Sequence, residues 1–142
     1  MRALIIGAGI AGPVLAVFLR RLGLEVVVCE ARADAATDEG AFLGVAPNGM
    51  NVLAAVGAAG AVRARGAAAA GMVFLNGRGK ELARIDDRDH EARYGAPMVM
   101  IRRGELHAIL VDAAIAAGAR VRFGARLSEL EQDGRTARAR FE

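Results

Sequence analysis

Residues 2–30 constrain the fold of this chain more than any other stretch. An apolar run at 3–6 leads into three glycines spaced G-x-G-x-x-G, then a segment compatible with a helix, and then a second apolar run at 26–29. Short apolar runs rich in β-branched residues are typical of fully buried parallel strands, and a helix between them makes the crossover. The stretch therefore predicts a Rossmann-like β-α-β unit within an α/β fold.

Each glycine of this turn has a separate predicted role. Gly7 allows the tight turn out of the strand, and Gly9 lacks a Cβ, so that a pyrophosphate can approach the backbone. Gly12 lets the helix pack close to the strand. The pyrophosphate would lie at the helix N-terminus, where the dipole favours negative charge. Pro13 suits the first turn, and Gly23 ends the helix.

An acidic residue, Glu30, follows the second strand. A carboxylate here accepts hydrogen bonds from the ribose hydroxyls of an adenosine and repels a 2′-phosphate, so the site should prefer FAD or NAD to NADP. A glycine turn in some other α/β protein is the alternative. The strand, the helix and the acid together favour dinucleotide binding.

Composition excludes several classes of protein. The 142 residues suffice for one domain with a core. The net charge is +3, but the arginines are scattered without interleaved aromatics, which argues against nucleic-acid binding. The chain has no apolar run of membrane-spanning length and no signal peptide, so we expect a cytoplasmic protein without membrane contact. The single cysteine, Cys29, is expected in the core.

The segment between 33 and 70 predicts a loop followed by helices. Residues 33–39 are expected to form a loop, and 40–47 an extended segment. Asn48 is expected to cap a helix that Gly57 ends. A second helix is expected over 59–65, and 67–70 fit either a helix or a strand.

From residue 72 onward the hydrophobic period changes. Residues 72–75 and 80–85 alternate around a turn at 76–79, which predicts a β-hairpin. Residues 86–96 are charged and aperiodic, and we expect a mobile loop there. The remaining expected elements are a strand at 97–101, a helix that begins in the 102–107 segment and ends at Gly118, a strand at 120–123, and a second hairpin from 127–131 and 136–141.

The first hairpin does not belong to a doubly wound sheet, because its strands are antiparallel. It indicates that a second, mixed layer is inserted into the nucleotide-binding domain. We therefore assign residues 1–142 to the N-terminal part of one cofactor-binding domain. Residues 72–97 are assigned to an insertion that belongs to the substrate-side layer.

Four landmarks occur in order along the chain: GAGIAG with Glu30, the GAFLGVAPNG segment, the RRGELH helix start and the terminal strand pair. In this series the chain resembles the N-terminal part of the FAD-dependent aromatic hydroxylases, the p-hydroxybenzoate hydroxylase-like flavin monooxygenases. The resemblance implies FAD as cofactor and NAD(P)H as co-substrate. It also implies an oxidoreductase that transfers one oxygen atom from O2 to an aromatic or polycyclic small molecule.

The resemblance also implies cofactor-binding roles for eight positions. They are Gly7, Gly9, Ala11 and Gly12 at the pyrophosphate, Glu30 at the adenosine ribose, Arg32 beside the adenine, Arg103 on the ribityl and phosphate side, and Leu127 with its backbone at the adenine edge. Residues 40–48 would line the flavin ring. No residue is assigned as catalytic, and no metal site is expected.

Several of these assignments have alternatives. Arg102 is adjacent to Arg103, and the spacing to Leu106 favours Arg103. Arg32 is as compatible with an exposed loop position as with a ligand contact. A lone histidine at 107 is expected on the surface or satisfied in the core, and His90 is expected in the mobile loop.

The acidic residues at 86, 87 and 89 are expected to be a solvated charge run. No pair of a histidine with a carboxylate is expected in this chain.

Two later landmarks of the family are absent: an Asp-Gly motif after an apolar strand and a Gly-Asp motif. Asp133-Gly134 fits a hairpin turn instead. We therefore expect an N-terminal piece whose partner is the missing C-terminal half, marginally stable and prone to associate when alone. The alternatives are an NAD-dependent dehydrogenase, against which the first hairpin argues, a flavoprotein oxidase or dehydrogenase of similar fold, and an inactive truncated fragment.

Overall fold

A computed structural model describes residues 1–35 and 40–142. In chain order the elements are β1 (Arg2–Ile6), α1 (Ala11–Arg21), β2 (Glu25–Cys29), β3 (Phe42–Val45), α2 (Pro47–Ala55), α3 (Ala59–Arg65), β4 (Ala67–Ala68), β5 (Gly71–Leu75), β6 (Glu81–Asp86), α4 (His90–Tyr94), β7 (Val99–Arg102), α5 (Arg103–Ala116), β8 (Arg120–Arg122), β9 (Leu127–Gln132) and β10 (Ala137–Phe141). The chain divides into two units, residues 1–39 with 106–142, and residues 40–105.

The first unit contains the predicted β-α-β crossover. Strands β1, β2 and β8 form a parallel sheet in that order, with Val28 of β2 opposite both Ile5 and Val121. Helix α1 packs on β1 and β2, and Gly23 ends it in the left-handed conformation, with φ of +80°. The Rossmann-like α/β unit expected from the sequence is confirmed.

Burial in β1 differs from the expectation that this strand is buried on both faces. Ile5 is buried, but Leu4 and Ile6 on the opposite face are 43% and 47% exposed. These two side chains line an open groove that Leu130 and Phe141 of the β9–β10 hairpin also line. The expectation was wrong because an apolar, β-branched run does not reveal whether one or both faces of its sheet are covered.

The second unit contains an antiparallel sheet of order β3-β7-β4 and the separate β5–β6 hairpin. Met50 and Leu53 of α2, Val62 of α3, and Val99 and Ile101 of β7 are buried. The hairpin expected over 72–85 is confirmed, and its assignment to a substrate-side layer stays a prediction. The loop expected over 33–39 lies partly outside the described residues.

Two local expectations for the second unit were wrong. Helix α2 begins at Pro47, because proline suits the first helical position, whereas the Asn48 side chain accepts the Gly49 N–H at 2.9 Å inside the helix. Residues 86–96 are not a continuous loop, since α4 forms there and Asp87 is only 6% exposed.

The terminal hairpin is confirmed as β9 and β10. Asp133 makes its turn, because its side chain accepts the backbone N–H groups of Arg135 and Thr136 at 2.9 and 2.7 Å. The same hydrogen bonds lower the pKa of the Asp133 carboxyl. Within the described residues, no helix has the length and apolar character needed to cross a membrane.

Candidate functional site

The glycine turn between β1 and α1 is shaped by its own backbone. Gly7 has a φ of +98°, which other residues rarely adopt, and its N–H donates to the Cys29 carbonyl at 2.7 Å. A Cβ added to Gly12 would collide with the Gly7 carbonyl oxygen and touch Ile5. The close approach of α1 to the end of β1 therefore requires glycine at 12.

Gly9 is different, because a Cβ there would meet no atom of the chain within 4 Å. Among the described residues, α1 has neither a side-chain cap nor an acidic residue in its first turn. Pro13 in that turn has no N–H to satisfy. The backbone donors at the start of α1, at Ala11 and Gly12, thus have no capping side chain, an arrangement that suits an anion such as a pyrophosphate.

Glu30 connects the end of β2 to this turn. Its Oε2 accepts the Ala8 N–H at 2.8 Å, and its Oε1 accepts the Arg32 N–H at 3.0 Å. The N–H of Arg32 and then that of Ala8 lower the pKa of the Glu30 carboxyl against the opposing effect of burial. A carboxylate has about four acceptor positions on its two oxygens, so Glu30 retains capacity to accept a ribose hydroxyl.

Arg32 contributes to the site through its backbone. Besides donating to Glu30, it accepts the Gly124 N–H at 2.7 Å, and its side chain is exposed. These bonds tie the end of β2 to the link that follows β8. Whether the guanidinium of Arg32 contacts an adenine stays a prediction.

Leu127 follows the link that contacts Glu30. The Ala125 N–H donates to the Glu30 carbonyl at 2.8 Å, and Arg126 and Glu142 exchange both backbone hydrogen bonds. Residues next to such a pair turn their backbone groups away from the partner strand. Leu127 itself pairs with Phe141 of β10 beside a register shift, and the contact of its backbone with an adenine stays a prediction.

His107 was not predicted to be part of the site. Its Nε2 lies 2.5 Å from the carbonyl oxygen of Ala8, which is fully buried inside the glycine turn. Adjacency to Leu106 was the only sequence signal, and it does not reveal a partner 99 positions away.

Arg103 lies in the second unit, where it begins α5. The Arg103 N–H donates to the Ala41 carbonyl at 3.2 Å. Gly40, with φ of +101°, lies against the Cβ of Arg103. The Arg102 guanidinium is 5.4 Å from the centre of the Phe42 ring. The Arg103 side chain is exposed, and its role as a cofactor ligand stays a prediction.

Asp87, one of the acidic residues expected to be solvated, is instead buried and paired with a histidine. The Asp87 carboxylate lies 3.0 Å from His90 Nε2, so the expectation that the chain lacks a histidine–carboxylate pair was wrong. The Nδ1 atom of His90 is buried without a partner. No group of three or more potential metal ligands occurs within residues 1–35 and 40–142.

A family model described as an FAD binding domain matches residues 1–142. The chain belongs to this FAD binding domain family. Its resemblance to the FAD-dependent aromatic hydroxylases is thereby confirmed, and so is FAD as the cofactor of this domain. The roles of the glycine turn and Glu30 in binding it stay predictions. The residues fit this cofactor, since Gly9 leaves open space and Glu30 presents an ionised carboxylate.

Curated relatives match most of this chain at moderate identity. The chain is 37% identical over 125 residues to an aurachin C monooxygenase/isomerase of Stigmatella aurantiaca, a match that covers 85% of the chain and 32% of the relative. It is 38% identical over 113 residues to 3-amino-4-hydroxybenzoate 2-monooxygenase PtnB3 of Streptomyces platensis, covering 78% and 28%. The chain thus spans about a third of these relatives.

Solved structures of similar fold contain bound FAD. HpxO of Klebsiella pneumoniae in complex with FAD and uric acid matches with a TM-score of 0.80 and 26% identity, over 99% of this chain and 35% of that one. Aklavinone-11 hydroxylase with FAD and aklavinone matches with a TM-score of 0.79 and 30% identity, over 97% and 29%.

Proposed function

We propose that this FAD-binding domain is the N-terminal region of a flavin monooxygenase that hydroxylates an aromatic or polycyclic small molecule. The observation that carries the proposal is the Glu30–Ala8 hydrogen bond, because it joins the ribose-binding acid to the glycine turn. The names of relatives support the reaction class, since they include an aurachin C monooxygenase/isomerase and 3-amino-4-hydroxybenzoate 2-monooxygenases.

The residues of this domain bind and orient the cofactor. Glu30 would accept the ribose hydroxyls, while the Gly9 turn and the start of α1 would donate backbone N–H groups to the pyrophosphate. Arg103 would neutralise the phosphate side, and Leu127 would contact the adenine edge. When bound, FAD supplies the redox chemistry, taking electrons from NAD(P)H and passing them to O2.

The substrate pocket would be completed by sequence outside these 142 residues. Support comes from the relatives, of which the chain spans about a third. This further sequence would cover the flavin and contribute most contacts to the substrate. We propose a cytoplasmic location, where NAD(P)H is available.

An oxygen-labelling experiment tests the reaction class. The protein, together with the C-terminal sequence that completes it, would be supplied with FAD, NADH or NADPH, ¹⁸O2 and a panel of hydroxybenzoates and aminohydroxybenzoates. We expect one ¹⁸O atom in the product. Stoichiometric hydrogen peroxide without labelled product would instead identify an oxidase or dehydrogenase, and no NAD(P)H consumption despite bound FAD would identify an inactive protein.

A further inference from the structure

Both backbone polar groups of Ala8 are held by side chains from outside the glycine turn. Glu30 Oε2 accepts its N–H at 2.8 Å, and His107 Nε2 lies 2.5 Å from its carbonyl oxygen. Ala8 is completely buried, so water cannot replace either partner. Glu30 follows β2 and His107 lies on α5. Two elements that are distant in sequence therefore hold Ala8 in place.

The carbonyl of Ala8 belongs to the same peptide group as the N–H of Gly9. A trans peptide is planar, so these two groups point in opposite directions. Holding the carbonyl towards α5 therefore directs the Gly9 N–H away from His107. Space beside Gly9 is open, since a Cβ there meets no atom within 4 Å.

We propose that His107 is a positioning residue for the cofactor pyrophosphate, acting through the peptide between Ala8 and Gly9. The inference rests on the FAD binding already assigned to this domain. A carbonyl only accepts hydrogen bonds, so Nε2 of His107 carries the proton in this arrangement. With an apolar side chain at 107, the buried carbonyl loses its donor, and the peptide can rotate away from the orientation that presents the Gly9 N–H.

Comparison of two ligands separates this role from a general contribution to folding. ADP and adenosine differ only in the diphosphate. A residue that orients an N–H group towards the pyrophosphate should therefore affect the affinity for ADP and not the affinity for adenosine. We would measure both affinities by calorimetry for the wild-type chain and for His107→Leu, His107→Gln and Asp112→Leu. The last variant places the same leucine at an exposed position of α5.

We expect His107→Leu to weaken ADP binding by about tenfold and adenosine binding by less than about twofold. His107→Gln should recover most of the ADP affinity, because its amide can donate to the same carbonyl, and Asp112→Leu should leave both affinities unchanged. Equal losses for ADP and adenosine, or no loss for either, would overturn the role of His107. Failure of the wild-type chain to bind ADP would overturn the cofactor site itself as well.

A measurement on the wild-type chain does not depend on how the variants fold. Long-range ¹H–¹⁵N spectra of the histidine rings distinguish a protonated from an unprotonated Nε2. We expect His107 Nε2 to be protonated, and the Gly9 amide resonance to shift on addition of ADP but not of adenosine. An unprotonated Nε2, or a Gly9 amide that responds to both ligands alike, contradicts the proposal.

Discussion

Gly9 and Gly12 belong to the same turn but lack side chains for different reasons. At Gly12 a Cβ would collide with the chain itself, at the Gly7 carbonyl oxygen, whereas at Gly9 it would meet nothing within 4 Å. The fold therefore requires glycine at position 12, whereas we propose that the bound cofactor is what requires glycine at position 9. A sequence motif presents the two glycines as equivalent, and only the packing separates them.

Alanine substitution separates the two requirements. We expect Gly12→Ala to lower the free energy of unfolding by ~1–3 kcal/mol, because backbone atoms must move to admit the methyl group. Gly9→Ala should change it by less than about 1 kcal/mol. The same Gly9 variant should weaken ADP binding by about tenfold or more. Urea unfolding and calorimetry give both quantities, and the reverse pattern would contradict this account of the turn.

Glu30 makes stability depend on pH in a defined direction. Its pKa is lowered in the folded chain by the Arg32 and Ala8 N–H groups, so the unfolded state takes up the proton first as the pH falls. The stabilisation is therefore complete above the unfolded pKa and is lost as the pH falls through the folded one. The stability difference between wild type and Glu30→Gln should be constant near neutral pH and shrink below about pH 4.5.

Urea unfolding of both proteins between pH 3 and 7 measures this difference. Asp133 and Asp86 also have lowered pKa values and contribute acid sensitivity of their own in both proteins. Only the difference between the two proteins therefore reports on Glu30. A difference that is constant over the whole range, or that grows in acid, would show that the carboxylate does not hold the turn.

At the scale of elements, Arg20 joins the ends of the two long helices of the first unit. Its Nε donates to the Ala117 carbonyl at 3.2 Å, just beyond α5, and its Nη1 donates to the Leu24 carbonyl at 2.7 Å, just beyond α1. Gly118, with φ of +88°, lies against the guanidinium. One side chain thus satisfies a carbonyl group beside the end of α5 and a second one between α1 and β2.

Removal of the Arg20 guanidinium should destabilise the fold. Arg20→Met keeps an unbranched apolar stem but leaves two carbonyls without donors, and we expect a loss of ~1–3 kcal/mol in the free energy of unfolding. Arg65→Met removes an exposed arginine from the last turn of α3 and should cost less than about 0.5 kcal/mol. Similar midpoints for the two variants in urea would argue against the role of Arg20.

Elements fixed by local pattern could be predicted from the sequence, and those fixed by distant contacts could not. The β1-α1-β2 unit and both hairpins follow from hydrophobic period, glycine positions and turn residues, which act over a few positions. Helix α4 is a short, charged segment, and the burial of Asp87 beside His90 depends on how the second unit packs. The contact of His107 with Ala8 likewise links positions that no local pattern connects.

At the scale of the whole molecule, each unit has apolar side chains that the described residues leave uncovered. Leu4 and Ile6 of β1 are about half exposed in the first unit. In the second unit, Phe74 and Leu82 of the β5–β6 hairpin are exposed. Monomeric proteins rarely present such surfaces to water, so they favour contact with further protein.

Association should therefore increase with concentration when the chain is studied alone. The paired substitutions Leu4→Lys and Ile6→Lys should lower the weight-average mass in sedimentation experiments, because they charge the uncovered face of β1. Leu22→Lys, at an isolated exposed leucine, should leave that mass unchanged. A strictly monomeric wild-type chain that unfolds in one cooperative transition would contradict this expectation.

We propose that the glycine turn and Glu30 form an FAD site, and titration of the chain with FAD tests this claim. We predict saturable binding, followed by flavin fluorescence, that both Glu30→Ala and Arg103→Ala weaken and that a large excess of NAD does not displace. A soluble, folded chain that fails to bind FAD, or that releases it to NAD, would contradict the claim.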